Sequence, residues 1–160
     1  MRDASPADMT IKITGYQWKW GYEYLNGEGD LSGVADGVMF YSTLATSDDQ
    51  ISSSAAKGEI YLLEVDNPMV IPVGKKVRVL IAASDVLHAW WVPAFGVKQD
   101  TVPGFIRDAW FKVDKPGIYR GQCAELCGKD HGFMPIVVQA LSAKDFADWA
   151  GRRKAAAPKS

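Results

Sequence analysis

The region that decides the fold of this chain is residues 118–141, which read IYRGQCAELCGKDHGFMPIVVQAL. Its two ends, 118–122 and 135–141, are predicted strands, and glycine and polar residues are frequent in the segment between them. That segment has the spacing Cys-x3-Cys-x3-His-x2-Met and contains the only two cysteines of the chain. We therefore expect a loop between neighbouring strands that brings two thiols, an imidazole and a thioether to one place.

These donors predict a copper site. Thiolate and thioether sulfur are soft ligands and imidazole is borderline, a set that favours copper over hard cations. His88, the other of the two histidines, lies 35 residues before Cys123, so it would reach the loop from a neighbouring strand. Two thiolates, two imidazoles and a thioether can hold two copper ions that share both sulfurs. The candidate ligands are the side chains of His88, Cys123, Cys127, His131 and Met134 and the backbone carbonyl of Glu125.

Other interpretations of this cluster remain open from the residues alone. A structural zinc site is one, although such sites rarely include methionine. A disulfide between Cys123 and Cys127 is sterically possible in an oxidising compartment, where a metal site would need reduced thiols. A cysteine nucleophile paired with His131 lacks an orienting or oxyanion motif. Met134 taken alone is more often a core residue than a ligand.

The rest of the chain is predicted to be mainly β. Thr10–Leu25 alternates with a period of two and is predicted as one long strand with an aromatic face. Thr43–Gly58 is rich in serine and aspartate and is predicted as an exposed loop. Further predicted strands are Val38–Tyr41, Glu59–Val65, Val77–Ala83, an irregular or edge strand within Val86–Phe95, and Phe105–Val113, with turns between residues 66 and 76.

A short helix is predicted near the C-terminus. Ser142 and Asp145 form a variant of the capping box, and Phe146 and Trp149 follow at the spacing of one apolar helix face. Many short strands with a single helix predict an all-β fold, a β-sandwich or Greek-key barrel. The 160 residues suit one domain, which we expect at 10–151, after a segment 1–9 that is disordered or introduced by cloning and before a flexible tail 152–160.

The charge of the chain limits its partners. A net charge of −1 argues against general nucleic-acid binding, which normally needs a basic excess. The segment from Glu23 to Asp66 contains nine acidic residues and only one basic residue, Lys57. This run is either ordinary solvated surface or an acidic face that steers a basic partner. No apolar stretch is long enough for a membrane helix and no signal-peptide core follows Met1, so the chain is expected to be soluble.

Three motifs resemble a known family. Residues 84–104 read SDVLHAWWVPAFGVKQDTVPG, residues 121–135 read GQCAELCGKDHGFMP, and residues 15–24 read GYQWKWGYEY. Together they are similar to the copper-A domain of cytochrome c oxidase subunit II over most of residues 10–149. The resemblance implies a cupredoxin-like Greek-key fold with a binuclear copper centre. It also implies a subunit of a proton-pumping oxidase that accepts electrons from cytochrome c and passes them to haem in subunit I, which reduces O2 to water.

The resemblance assigns roles to particular residues. The six candidate ligands match the family's copper ligands, and the carboxylate of Glu125 would also reach a magnesium ion shared with subunit I. Trp18 matches the tryptophan at which the electron enters. Glu23 and Asp85 match acids that dock the basic cytochrome. Phe105 departs from the pattern, because mitochondrial members have arginine there, so any contact of that arginine with the catalytic subunit is not expected in this chain.

The family implies a location and leaves rival functions to test. Two membrane helices precede this domain in relatives, so the chain is expected to be a soluble fragment. It would lie at the periplasmic face of a bacterial inner membrane, or at the intermembrane-space face in mitochondria. Rival functions are a mononuclear blue-copper carrier or copper-storage module, a copper-free scaffold like subunit II of quinol oxidases, and the copper-A domain of nitrous oxide reductase. No Cys-x-x-Cys-His motif occurs, so a fused c-type haem is excluded.

Overall fold

Two five-stranded sheets form the part of the chain that the computed structural model describes, residues 5–45, 64–124 and 134–157. One sheet has the order β3-β2-β1-β5-β8 and the other the order β4-β10-β9-β6-β7. The prediction of an all-β, cupredoxin-like sandwich with a C-terminal helix is confirmed. The elements are β1 (Met9–Tyr16), β2 (Lys19–Gly27), β3 (Met39–Ser42), β4 (Met69–Pro72), β5 (Lys76–Ala83), β6 (His88–Val92), β7 (Val97–Thr101), β8 (Arg107–Lys112), β9 (Gly117–Cys123), β10 (Pro135–Leu141) and α1 (Ala143–Ala156).

The long aromatic strand predicted at Thr10–Leu25 is wrong, because that segment is a hairpin. β1 and β2 pair antiparallel, with Tyr16 opposite Lys19, and a cis peptide bond joins the two turn residues, Gln17 and Trp18. A two-residue turn reverses which parity faces the core. Odd-numbered residues point inward on β1 and even-numbered residues on β2, so the aromatic residues from 16 to 24 do not share one face.

Two further predictions in the second sheet need correction, and one of its strands was not predicted. The turn region between residues 66 and 76 contains β4, which is buried and pairs parallel with β10. The strand predicted as irregular or edge is β6, an interior strand between β9 and β7. β7 itself was not predicted. The strands predicted at Val38–Tyr41, Val77–Ala83, Phe105–Val113, 118–122 and 135–141 are confirmed within a few residues as β3, β5, β8, β9 and β10.

Side chains from both sheets form one buried apolar cluster between them. Alternation along β5, where every second residue is buried, shows why a period of two predicts a strand with one face in the core. The hydroxyl of Tyr24 crosses between the sheets: it donates to the carbonyl of Val70 at 2.6 Å and accepts from the N–H of the same residue at 2.9 Å.

The C-terminal helix is capped as predicted and is longer than predicted. The Ser142 hydroxyl accepts a hydrogen bond from the N–H of Asp145 at 3.2 Å, and Phe146 is fully buried. The helix continues past the expected domain boundary at residue 151 to Ala156. At the other end of the chain, the N–H of Lys76 donates to the carboxylate of Asp8 at 2.7 Å.

Some predictions fall on residues that lie outside the described ranges. The loop predicted at Thr43–Gly58 is described only as far as residue 45, and the strand predicted at Glu59–Val65 only from residue 64. There, Leu44 and Val65 form an isolated bridge. Among the described helices, none combines the length and the apolar character needed to cross a bilayer.

Candidate metal centre

The pairing of β6 with β9 brings the predicted ligands His88 and Cys123 together. His88 begins β6 and Cys123 ends β9, and the register places Trp90 opposite Cys123. Gly121 permits this close approach, because a Cβ atom at that position would lie 1.9 Å from the carbonyl oxygen of Trp91. The absence of a side chain at residue 121 therefore helps to bring the thiol to the imidazole.

Met134 joins these two ligands across the β9–β10 pair. The N–H of Cys123 donates to the carbonyl of Met134 at 3.2 Å. Both side chains are buried, with Cys123 exposed by 2% and Met134 by 1%. The segment predicted as the ligand loop therefore begins and ends at two residues that are hydrogen-bonded to each other.

The ring nitrogens of His88 have different partners. Nδ1 lies 3.9 Å from Sγ of Cys123, and Nε2 lies 2.9 Å from Oδ1 of Asp85. The His88 ring is fully buried, and the backbone carbonyl of the same residue accepts a hydrogen bond from the hydroxyl of Thr101 at 3.0 Å. Both the ring and the backbone of this predicted ligand are therefore held in place.

The pKa values of His88 and Asp85 reflect burial and these hydrogen bonds. Burial lowers the pKa of His88, but the hydrogen bonds with Cys123 and Asp85 raise it, and the net shift is upward. Burial raises the pKa of Asp85, but hydrogen bonds from the Gln17 N–H, from His88 and from the Val86 N–H lower it, and the net shift is downward. The surroundings of Asp85 therefore stabilise its ionised form.

The donors in this cluster fit copper. The imidazole Nδ1 of His88 faces the thiol sulfur of Cys123. The thioether side chain of Met134 is buried at the residue whose carbonyl is bonded to Cys123, and such donors favour soft or borderline metals. No group of three or more histidine, cysteine, aspartate or glutamate side chains within the described residues could hold a metal on its own. The remaining candidate ligands, Glu125, Cys127 and His131, lie outside the described residues.

The other predicted site residues lie on or beside the β1–β2 hairpin. Trp18 is in the turn, is partly buried and packs against the core. Glu23 is on β2, opposite Lys12 on one side and Met39 on the other. Asp85 is bonded to His88 and keeps a third of its side chain exposed. The structure thus places Asp85 at the candidate centre itself, while its docking role stays a prediction.

Two residues beside His88 were not identified as site residues from the sequence. The indole of Trp20, which is fully buried, meets the His88 ring edge-on with a centroid separation of 5.8 Å. Gly15 lies so close to the same ring that a Cβ atom there would be 2.7 Å from Cδ2. Both lie within the aromatic motif, and an aromatic run by itself indicates core packing and not contact with one histidine.

Comparison with known proteins places these features in a family. The profile described as cytochrome C oxidase subunit II, periplasmic domain, matches residues 9–141. Cytochrome c oxidase subunit 2 of Cereibacter sphaeroides is 43% identical over 151 residues, which is 89% of this chain and 48% of the relative. The chain spans about half the length of the curated relatives it matches.

Two solved structures resemble the whole domain. The periplasmic domain of subunit II of cytochrome oxidase from Bradyrhizobium japonicum is 42% identical, with a TM-score of 0.80, and the match covers 96% of this chain and 98% of that one. The second is a mixed disulfide intermediate between a thioredoxin-like protein and subunit II of cytochrome c oxidase. It is also 42% identical, with a TM-score of 0.74, over 96% of this chain and 95% of that one.

Proposed function

Because this chain belongs to the family of the periplasmic domain of cytochrome c oxidase subunit II, we propose that it is an electron-transfer domain that holds two copper ions. Electrons would pass from cytochrome c through this domain to haem in the catalytic subunit I, where O2 is reduced to water. The domain would lie at the periplasmic face of a bacterial membrane. It would make and break no substrate bonds itself.

The observation that carries the proposal is the meeting of His88 with Cys123 beside Met134. Nδ1 of the imidazole faces the thiol sulfur at 3.9 Å, and the thioether side chain is buried at the adjacent position of the β9–β10 pair. We assign the ligands by adding Cys127, His131 and the carbonyl of Glu125 from the loop between the two strands. Bound copper would supply a redox couple that gains and loses one electron.

The residues around the copper ions would favour fast electron transfer. Burial of His88, Cys123 and Met134 excludes water, so little solvent has to reorganise when the charge changes. The two thiols would have to be ionised to bind, which means that acid should oppose loading. They would also have to be reduced, and a thioredoxin-like protein would be the reductant, by analogy with the relative captured as a mixed disulfide.

Residues outside the copper ligands would contact the partner proteins. Trp18, in the turn whose Gln17 N–H is bonded to Asp85, would be where the electron enters, and Glu23 and Asp85 would attract the basic surface of cytochrome c. The Glu125 carboxylate would share a magnesium ion with subunit I in the complete complex. Phe105, which is 65% exposed, stands where mitochondrial members have arginine, so this chain would lack any contact that the arginine makes with subunit I.

Copper analysis with electron paramagnetic resonance tests the proposed function. We expect the reconstituted chain to bind two copper ions, with hyperfine splitting from two equivalent nuclei, and to lose that signal when Cys123 or Cys127 is replaced by serine. One copper per chain with splitting from a single nucleus would favour the blue-copper alternative. A chain that binds no copper after reduction of its thiols would overturn the proposal and favour the scaffold alternative.

Electron uptake by the loaded chain tests the route. Trp18→Ala should slow uptake from reduced cytochrome c at unchanged copper content. Trp110→Ala is the matched control, because Trp110 is also partly buried but lies on β8, at the edge of the first sheet. Equal slowing in both variants would show that the effect is a general loss of packing.

A further inference from the structure

The imidazole of His88 lies directly against the end of β1. A Cβ atom on Gly15 would be 2.7 Å from Cδ2, 2.8 Å from Cγ and 3.0 Å from Cβ of His88. Contacts below 3.0 Å force a displacement, and here the neighbour is a buried ring and not the end of a flexible chain. Gly15 is therefore required by the space that the histidine occupies.

The backbone around Gly15 leaves that ring little room to move away. Gly15 pairs with Trp20 on one side and with Ala83 of the parallel strand β5 on the other. Its carbonyl also accepts the N–H of Ser84 at 2.9 Å. Because the strand end is fixed on both sides, an added side chain would displace His88 and not the backbone.

The carboxylate of Asp85 holds the same ring by its outer nitrogen. Its Oδ1 accepts from the N–H of Val86 at 2.7 Å and lies 2.9 Å from Nε2 of His88, while Oδ2 accepts from the N–H of Gln17 at 2.7 Å. An ionised carboxylate can only accept, so Nε2 must carry a proton. In the neutral ring this leaves the lone pair on Nδ1, the nitrogen that faces Cys123.

On these contacts, and on the proposed copper function, we propose that Gly15 and Asp85 are positioning residues for His88. Gly15 leaves the volume that the ring fills, and Asp85 selects the tautomer whose Nδ1 is free to bind a metal. A carboxylate behind a metal-binding histidine is a general way to fix its tautomer and orientation. Because Asp85 also holds the N–H of Gln17, it fixes the turn that contains Trp18 relative to the same ring.

The tautomer can be measured without any metal. In the metal-free chain at alkaline pH, nitrogen NMR of labelled histidine should show His88 protonated at Nε2. In Asp85→Asn one oxygen becomes an NH2 donor, so the side chain cannot accept from Gln17, Val86 and His88 together. We expect this variant to lose the Nε2–H preference or to exchange the Gln17 amide proton faster.

Asp36→Asn is the matched control for that substitution. Asp36 accepts a backbone N–H, that of Gly27, at 3.0 Å, and within the described residues no hydrogen bond joins it to a predicted ligand. It should leave the His88 nitrogen signals unchanged. The proposal is wrong if Asp85→Asn keeps both the Nε2–H signal and the slow Gln17 exchange of the wild-type chain.

Copper affinity provides the second measurement. Gly15→Ala should weaken copper binding about tenfold to 100-fold in competition with a chelator and shift the optical spectrum of the loaded chain. Gly27→Ala is the control, because a Cβ there would lie 2.1 Å from the carbonyl oxygen of Leu31, which damages the fold at the far end of β2. That variant should lower the free energy of unfolding without changing the spectrum.

The two measurements separate the possible failures. Wild-type affinity and spectrum in Gly15→Ala would overturn the role of Gly15. If the wild-type chain binds no copper, the proposed function is wrong. The tautomer measurement still decides whether Asp85 fixes the tautomer of His88. If Gly15→Ala does not fold, Asp85→Asn and its control still decide the role of Asp85.

Discussion

The hydroxyl of Tyr24 is a fully buried polar group that links strands from the two sheets. It exchanges two hydrogen bonds with the backbone of Val70, one donated and one accepted. The ring also packs at 5.2 Å from the indole of Trp149 on α1. Removing the oxygen alone would leave the N–H and carbonyl of Val70 buried without this partner, and each such group costs about 1–3 kcal/mol.

Tyr24→Phe should therefore reduce stability and weaken its dependence on alkaline pH. Burial raises the pKa of Tyr24, and also that of Tyr22, above the usual value for tyrosine. The folded state then keeps protons that the unfolded state releases above about pH 10, so the free energy of unfolding falls as the pH rises through that value. Urea unfolding at about pH 8 should show that the variant has lost roughly 2 kcal/mol of its free energy of unfolding. Repeating the measurement at about pH 11 should show that this free energy falls less with pH in the variant than in the wild-type chain.

Tyr41→Phe is the control for this prediction, since Tyr41 is 42% exposed. It should leave stability nearly unchanged at neutral pH. An alkaline decline in Tyr24→Phe as steep as that of the wild-type chain would contradict the assignment to Tyr24.

At the scale of single residues, candidate ligands can be proposed from the sequence because the chemistry of a donor is a property of the residue. Their surroundings could not be predicted in the same way. Asp85 was interpreted as a docking acid, yet its carboxylate is bonded to His88. Asp85 and His88 are only three residues apart, but the sequence pattern does not show which way their side chains point. The contact of His88 with Gly15 depends on the pairing of Gly15 with Ala83, two positions far apart in the chain.

At the scale of elements, the last turn of α1 is attached to the body of the protein by Arg153. Its guanidinium donates to Oδ1 of Asn67 at 2.7 Å and lies 4.4 Å from the centre of the Phe40 ring. The first contact reaches the segment before β4 and the second reaches β3. Residues past 151, which the sequence predicted as a flexible tail, therefore contribute to packing.

Arg153→Ala should lower the free energy of unfolding by about 1 kcal/mol, because it removes a charge-assisted hydrogen bond and a cation–π contact. Arg152→Ala removes the same charge from the exposed neighbouring position and should change stability by less than about 0.5 kcal/mol. Chemical denaturation of both variants at one pH compares them. Equal losses would mean that the effect comes from helix charge and not from the contacts of Arg153.

The hairpin of β1 and β2 could not be predicted from the sequence pattern. The turn consists of Gln17 and Trp18, neither of which is a usual turn signal, and alternation continues through it without a break. The inward positions Ile11 and Ile13 were the available sign that the apolar parity changes. Strand β4 was missed for a different reason: it has four residues, ends in Pro72 and is recognisable mainly by its pairing with β10.

At the scale of the whole molecule, the acidic residues differ in how far their charge is already compensated. Asp30 forms a salt bridge with Lys75 at 3.0 Å, and Glu64 forms one with Arg120 at 3.2 Å. Within the described part of the chain, Glu23 has neither a hydrogen bond nor an ion pair through its side chain. An uncompensated acid on the strand that follows Trp18 is the one best able to attract a basic partner.

Electron uptake by the copper-loaded chain from a basic cytochrome should therefore fall as salt is added, since screening limits surface charges to about 10 Å at 0.1 M ionic strength. Glu23→Gln should slow uptake roughly threefold at low salt and flatten the salt dependence. Glu28→Gln makes the same change of net charge, but Glu28 follows the end of β2 that is remote from Trp18, whereas Glu23 lies in the middle of that strand. Stopped-flow rates across a salt series compare the two. Because both variants lose one negative charge, a difference between their uptake rates reports where the cytochrome docks. Equal effects of the two substitutions would rule out an acidic dock at Glu23. An uptake rate that does not change with salt concentration would also rule it out.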